Sequence, residues 1–505
     1  MKQSDRIHKL IIYTMYYSLF KELLHPKTTP DNYETIHTIV MRKCFGVFCT
    51  VKRYIHAKTE WPHNVHGCIG FWDGNFNAVS SQTLYNKLLQ VSYDAMHTDS
   101  RAKEFPGLHL DPQSILEIDF MMKPVYKINP ENGVIAIKTS RKTLSKQSRV
   151  LKTLKKTKPI PFDNHKFGII IQSIDQPTKK ATFLPGVFLN TQWNIILENI
   201  RGKSGIQDNE PYCLYAYKIK QYTGHYIELL NSADLMHSLC KTFSHFLIEN
   251  SNMKRQYPFI YRIEKNDVFW DDTQQVRNIA TIAQVYQYSK RDDVYNTIQT
   301  ILQNPKDTSP QALSFLGNYV DEHTRPLFCK LLTERLKHTD IDQEFEKPEI
   351  LIGILHADCT PTPTVSDYSF TENTSVFFMN WAIQVMYTYK TIPTKSNIKM
   401  FFRTLQQIRD NFDAFETNHI AVALEGACFL QNIVPESNDK NKLLTLIFFF
   451  WVELQRKRKH PQYPVFVFKD KSARIDISGH IYNGLYHLML KNYFVQNNKN
   501  TIMDT

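Results

Sequence analysis

Over the first 230 residues the spacing of apolar side chains changes period several times. Residues 7–24 place them every three or four positions, which is one face of a helix. The stretch "CFGVFCTVKRYI" (44–55) is dense in β-branched and aromatic residues and reads as a strand, and a second strand is expected through 65–71. Helical spacing returns in "SSQTLYNKLLQVSYDAM", with Ser80 or Ser81 placed to cap the first turn. "SILEIDFMMKPVYKI" predicts a strand that stops at Pro124, because proline has no N–H to give a ladder. "FGIIIQSI", "KATFLP" and "YCLYAYKIKQY" are further strands. The pattern predicts a mixed antiparallel α+β domain over residues 1–230.

From residue 231 to 505 the period is almost wholly helical. Segments such as "ADLMHSLCKTFSHFLIEN", "NIKMFFRTLQQIRDNF" and "HIAVALEGACFLQNI" follow one another with short connections, and only "YPVFVFK" (463–469) reads as a strand. An all-helical second domain follows, consistent with a chain of 505 residues being too long for one core.

Charge and cysteine usage narrow the setting. The formal net charge of +12 favours acidic partners, nucleic acid among them. Eight scattered cysteines without a CxxC pair predict reduced thiols. The N-terminus lacks a small-residue cleavage site. The longest apolar run, "LLTLIFFFWVEL", falls short of the roughly 20 residues a bilayer demands. A cytoplasmic or nuclear protein with no membrane partner is expected.

The chemistry candidates start at "NVHGCIGFWDG" (64–74). Gly67 and Gly70 bracket Cys68, freeing the backbone and letting another group approach. His66 lies two residues away, on the same face of a strand, and is the nearest candidate base for a nucleophilic thiol. The alternative is a small buried thiol in the core. His63, His66 and Cys68 are zinc-compatible, but no fourth ligand is evident and no metal is assigned. Asp99 and Arg101 are a candidate clamp for an anion, or simply an ion pair fixing a loop. Thr182 is expected to shape a cleft-lining strand end. An acid-free basic run includes Lys142, Arg149, Lys152, Lys155 and Lys156, inside an insertion over about 139–166. It is either a solvated flexible loop or a polyanion contact. "RGKSG" (201–205) imitates the end of a P-loop, but Leu197 stands where the earlier glycine belongs, so no nucleotide site follows.

These landmarks occur in an ordered set. "VHGCIG" is followed by Asp99-Ser100-Arg101 and Phe105-Pro106, then "LEIDFMMKPV", then Thr182-Phe183-Leu184-Pro185 and Trp193. Over roughly residues 5–228 the chain resembles the AMMECR1 domain family. It departs from that family in carrying His66 where an arginine precedes GCIG, in an inserted "AKE" before Phe105, and in the basic insertion. The resemblance implies a compact α+β fold of two subdomains with a cleft near GCIG. It also implies an enzymatic or modification role, prokaryotic members being associated with Memo and radical-SAM partners.

In the helical half, "VRNIATIAQVYQYSKRDDVYNTIQTILQN" resembles a hairpin of an (α/α) toroid, with an α-solenoid as the rival architecture. In a toroid Asp271, Asp272, Glu425, Asp476 and His480 are candidates to face a central cavity, and Asp271 with Glu425 to act on a sugar. As helix caps the aspartates need no such role. Three functional readings result: a cleft-based enzyme using Cys68 and His66 on a small molecule or protein group, a binding or scaffold protein docking through the helical half and the basic loop, and a carbohydrate-active toroid. No cofactor is indicated by any motif.

Overall fold

The computed structural model describes residues 3–21, 35–36, 38, 43–53, 65–103, 113–143, 152–252, 256–262, 265, 267–271, 274–339, 346–360, 368–435, 438–457, 465–466 and 472–503. Of these, 136–143, 152–158, 267, 457, 472 and 491–503 are described by backbone alone. The chain divides into two compact units, the first running to Tyr226 and the second from Ile227.

The first unit is built on an antiparallel sheet. Its strands are β1 (Cys44–Lys52), β2 (Val65–Trp72), β3 (Ile115–Asn129), β4 (Val134–Thr143), β5 (Lys152–Pro161), β6 (Gly168–Ser173), β7 (Lys180–Phe183) and β8 (Tyr212–His225), in the order β2-β1-β3-β8-β6-β7, with β4 and β5 branching from β3. Alternation along β1 and β3 divides the two faces. Val47, Cys49, Val51, Leu116, Ile118 and Phe120 are buried. Helices α1 (Gln3–Phe20) and α2 (Ser81–His97) cover that face, and the Cys49 thiol reaches the Leu88 carbonyl of α2 at 3.9 Å. Each of these side chains, fully buried, is worth about 1.5–3 kcal/mol. Ser80 caps α2 by accepting the Thr83 N–H. A second core lies between β6, β7, β8 and α3 (Trp193–Ser204), around Ile169, Ile171, Ile196, Ile200 and Leu214. The two subdomains implied by the resemblance thus share one continuous sheet.

Two expectations change here. β3 does not end at Pro124. Between Met122 and Tyr126 the β3–β8 register shifts, so Pro124 sits where no ladder bond is required, and the strand continues to Asn129. The basic insertion is not simply a flexible loop either. β4 and β5 pair antiparallel from Val134↔Pro161 to Thr143↔Lys152. Lys142, Lys152, Lys155 and Lys156 lie on that ribbon, while Arg149 lies outside the described residues.

The second unit carries a small sheet of β9 (Ile260–Arg262), β10 (Asp267–Phe269) and β11 (Ser472–Arg474). Its helices are α4 (Ala233–Glu249), α5 (Gln275–Ser289), α6 (Asp292–Gln303), α7 (Arg325–Lys337), α8 (Glu346–His356), α9 (Val376–Thr388), α10 (Lys395–Asp410), α11 (Thr417–Ile433), α12 (Asn438–Lys457) and α13 (Ile475–Met503), besides short turns. Of the strand expected over 463–469, Val465 and Phe466 are described and are not in a strand. The expectation of wholly reduced thiols fails at one place: Cys329 on α7 and Cys359, just past α8, form a disulfide. Among the described residues no helix is long and apolar enough to cross a membrane.

Candidate functional site

GCIG lies inside a strand and not in a tight turn. Neither Gly67 nor Gly70 has a positive φ. Their value is close approach: a Cβ on Gly67 would collide with the Ala95 carbonyl of α2, and one on Gly70 with the Phe48 ring. This packing seats β2 so that Cys68 stands opposite Thr50 of β1, and Thr50 opposite Glu117 of β3. The face away from α1 and α2 therefore carries Cys68, Thr50 and Glu117, then Gly70, Phe48, Asp119 and Gln221 in the next row.

Cys68 is partly exposed and packs against Phe48, Leu184, Tyr217 and their neighbours. Thr50 Oγ1 donates to its sulfur at 3.1 Å. Burial pushes the thiol above its ordinary pKa. The Thr50 hydroxyl, Arg101 and Lys203 pull it down, Asp119 pushes it further up, and the net shift is upward. His66 is not the partner expected. Its buried ring gives Nε2–H to the Met96 carbonyl at 2.9 Å, an anchor between β2 and α2.

Asp99 and Arg101 are brought to Cys68 by its backbone. The Cys68 N–H donates to Asp99 Oδ2 at 2.9 Å, and Arg101 grips the same carboxylate through Nε at 2.9 Å and Nη2 at 2.8 Å. Burial opposes ionisation of Asp99, but these donors outweigh it and hold the carboxyl below its usual range. Lys203, at the end of α3, donates Nζ to the Thr182 carbonyl at 2.9 Å and lies 4.4 Å from the Phe183 ring centre. Its stem is exposed while its ammonium feels both Cys68 and Arg101. Thr182 donates to the Ile169 carbonyl and shares a 2.9 Å hydrogen bond with the Tyr217 hydroxyl, fixing the strand end that holds Lys203.

This cluster sits on the segment that the family comparison recognises: residues 18–227 match the AMMECR1 family model. The chain carries an AMMECR1 domain. No curated protein and no solved structure matches the chain. The match ends at residue 227, so the resemblance of the helical half to toroids gains no support from it.

Within the AMMECR1 domain, pattern reading missed Thr50, Asp119 and Lys203. Asp119 is 1% exposed, and Gln221 Nε2 donates to its Oδ1 at 3.0 Å. Burial first and then the Glu117 charge raise its carboxyl to about 7, against the pull of Gln221 and Lys52. Glu117 itself is paired with Lys52 at 2.5 Å. The available signal was "LEIDF", two carboxylates at strand spacing in an apolar run. Lys203 belongs to "RGKSG", the failed P-loop imitation.

In the helical unit the candidate cavity residues separate. Asp271 and Asp476 line one cavity of 320 Å³ with Arg277. Glu425 is 1% exposed and takes no part in it, so the pairing of Asp271 with Glu425 across one cavity is not what the structure has. The Glu425 carboxylate accepts from Asn380 at 2.8 Å, His480 Nδ1 at 2.7 Å and Asn483 at 2.6 Å. Asp272 lies outside the described residues. Among the described residues no group of three or more His, Cys, Asp or Glu is arranged to hold a metal.

Proposed function

We propose that the AMMECR1 domain is a binding cleft for the anionic group of a small molecule or of a protein, with Cys68 as a neutral thiol on its floor. One observation carries this reading. Two cations, Arg101 and Lys203, both act on the Cys68 sulfur, and among the described residues Arg101 has a carboxylate partner, Asp99, while Lys203 has none. The sum over Lys203, Arg101 and Asp99 is one net positive charge, which suits a single negative group such as a carboxylate. The raised thiol and the diversion of His66 to Met96 argue against a resting thiolate nucleophile.

The test is alkylation of native protein by iodoacetamide, read peptide by peptide, in the presence of acetate or inorganic phosphate. The reading expects Cys68 to label while its buried neighbour Cys49 does not, and expects a saturable slowing by the anion that Lys203→Met removes. Labelling of Cys68 only after unfolding contradicts the cleft, and slowing that persists in Lys203→Met contradicts the role of Lys203.

The basic ribbon supports a second contact at a separate place. Nine Lys or Arg residues run from Lys138 to Lys158 without an acid, which suits a polyanion such as nucleic acid through counterion release. Duplex binding that weakens steeply with salt and disappears on deleting residues 139–158 supports it. Binding unchanged by the deletion removes it.

A further inference from the structure

The cavity of the helical unit lies where the segment 256–259, the first turns of α5, helix α6 and the start of α13 meet. Its charged groups do not contribute equally. The Asp476 carboxylate is taken by Arg474, at 3.2 Å from Nε and 2.6 Å from Nη2. Arg277 approaches Asp476 only to 3.6 Å, and its guanidinium rests 5.1 Å from the centre of the Phe259 ring. Asp271 has a partner of its own. Arg277 thus shares the Asp476 carboxylate with Arg474, which holds it at shorter range, so Arg277 is the less tightly matched of the two cations.

The neighbouring amides have a fixed polarity. The Tyr257 N–H donates to Asn278 Oδ1 at 3.0 Å, so Nδ2 is the end of Asn278 left over. The Gln256 N–H donates to Asn252 Oδ1 at 3.0 Å, so Asn252 must use Nδ2 toward Gln256 Oε1, at 2.7 Å. That leaves Nε2 of Gln256 as its remaining end. A backbone N–H can only donate, so neither amide can be reversed without losing a bond. Around one cavity, therefore, a guanidinium and two amide NH2 groups remain available as donors, beside the carboxylates of Asp271 and Asp476, which have partners. Ile279, Ile282, Ile301 and Ile475 complete the lining with apolar surface.

We propose that this cavity binds a small organic anion, its carboxylate or phosphate held by Arg277, Asn278 and Gln256 and its apolar body laid on the isoleucines. Three converging donors suit an acceptor-only group, and an oxyanion is the strongest such group. The volume of 320 Å³ limits the ligand to a single small molecule. This site is independent of the Cys68 cleft.

Isothermal titration of the full chain with acetate, hexanoate and inorganic phosphate tests the proposal, alongside Arg277→Gln and Arg277→Lys. In a Lys203→Met background, where the AMMECR1 cleft no longer holds an anion, the expected result is one-to-one binding of an oxyanion, weakened about tenfold or more by Arg277→Gln and partly retained with Arg277→Lys. Hexanoate binding more tightly than acetate supports a carboxylate head on an apolar body. Phosphate binding that depends on Arg277 supports a phosphate head. Absence of saturable binding by all three anions overturns the site. So does binding unchanged in a folded Arg277→Gln chain, folding being checked by its thermal transition. The Lys203→Met background keeps the two sites apart, because the parent chain should bind a second equivalent that this variant loses.

Discussion

The Asp99 carboxylate accepts the backbone N–H of Cys68 at 2.9 Å while held in a fork by Arg101. One buried acid thus fixes the height of the strand carrying the thiol and the direction of the nearest guanidinium. Replacing Asp99 with Ala should cost about 2–4 kcal/mol, because it orphans a backbone donor and removes the carboxylate from Arg101. Urea unfolding measures it. The folded-state pKa of Asp99 is depressed, so its contribution is present above the unfolded carboxyl value and is lost as pH falls through the folded one.

Asp119 behaves in the opposite sense. Its carboxyl is held at about 7 in the fold against about 4 in an unfolded chain. Between those values the unfolded state has released the proton and the folded state has not, so stability falls as pH rises. The full effect is about 4 kcal/mol above pH 7. Asp119→Asn should remove this slope, and the variant should gain on the parent protein from pH 5 to pH 8 in thermal melts.

In the helical unit Glu425 is an acceptor for three side chains and cannot be removed quietly. Glu425→Ala should destabilise that unit by about 3–5 kcal/mol in chemical unfolding. Burial lowers the pKa of His480, but the charge and hydrogen bond of Glu425 outweigh it and the net shift is upward. Its contribution is therefore complete below the unfolded histidine value and fades as pH rises through the folded one. His480→Asn should flatten that alkaline loss.

The Cys329–Cys359 bridge closes a loop of sequence separation 30. Chain-entropy reasoning assigns such a closure about 3–4 kcal/mol. The transition of the helical unit should fall under reductant, and Cys329→Ser should reproduce the fall without reductant. Equal melting with and without reductant would count against the bridge.

What could be read from the sequence was what depends on neighbours along the chain. The strands at Cys44 and Val65, the cap at Ser80 and most helices follow from local period and end signals. Helix α8 keeps Pro348 in its first turn, a position a helix tolerates. Pro124 misled because its effect depends on register against β8, which no local pattern states. The site followed the same division. Cys68 stood out by its flanking glycines, and Asp99 with Arg101 by an acid and a base two residues apart. Asp119 and Lys203 reach Cys68 through strand pairing and the docking of α3, and His66 was assigned by strand alternation without knowledge of the Met96 carbonyl that takes its ring.

The most direct measurement is the rate of Cys68 alkylation against pH in the native protein. The account predicts a rate that keeps rising past the ordinary thiol value of about 8.5, with Thr50→Val moving the midpoint higher because the sulfur loses its donor. A midpoint well below that value, with fast labelling already at pH 6, would reveal a resting thiolate and contradict it.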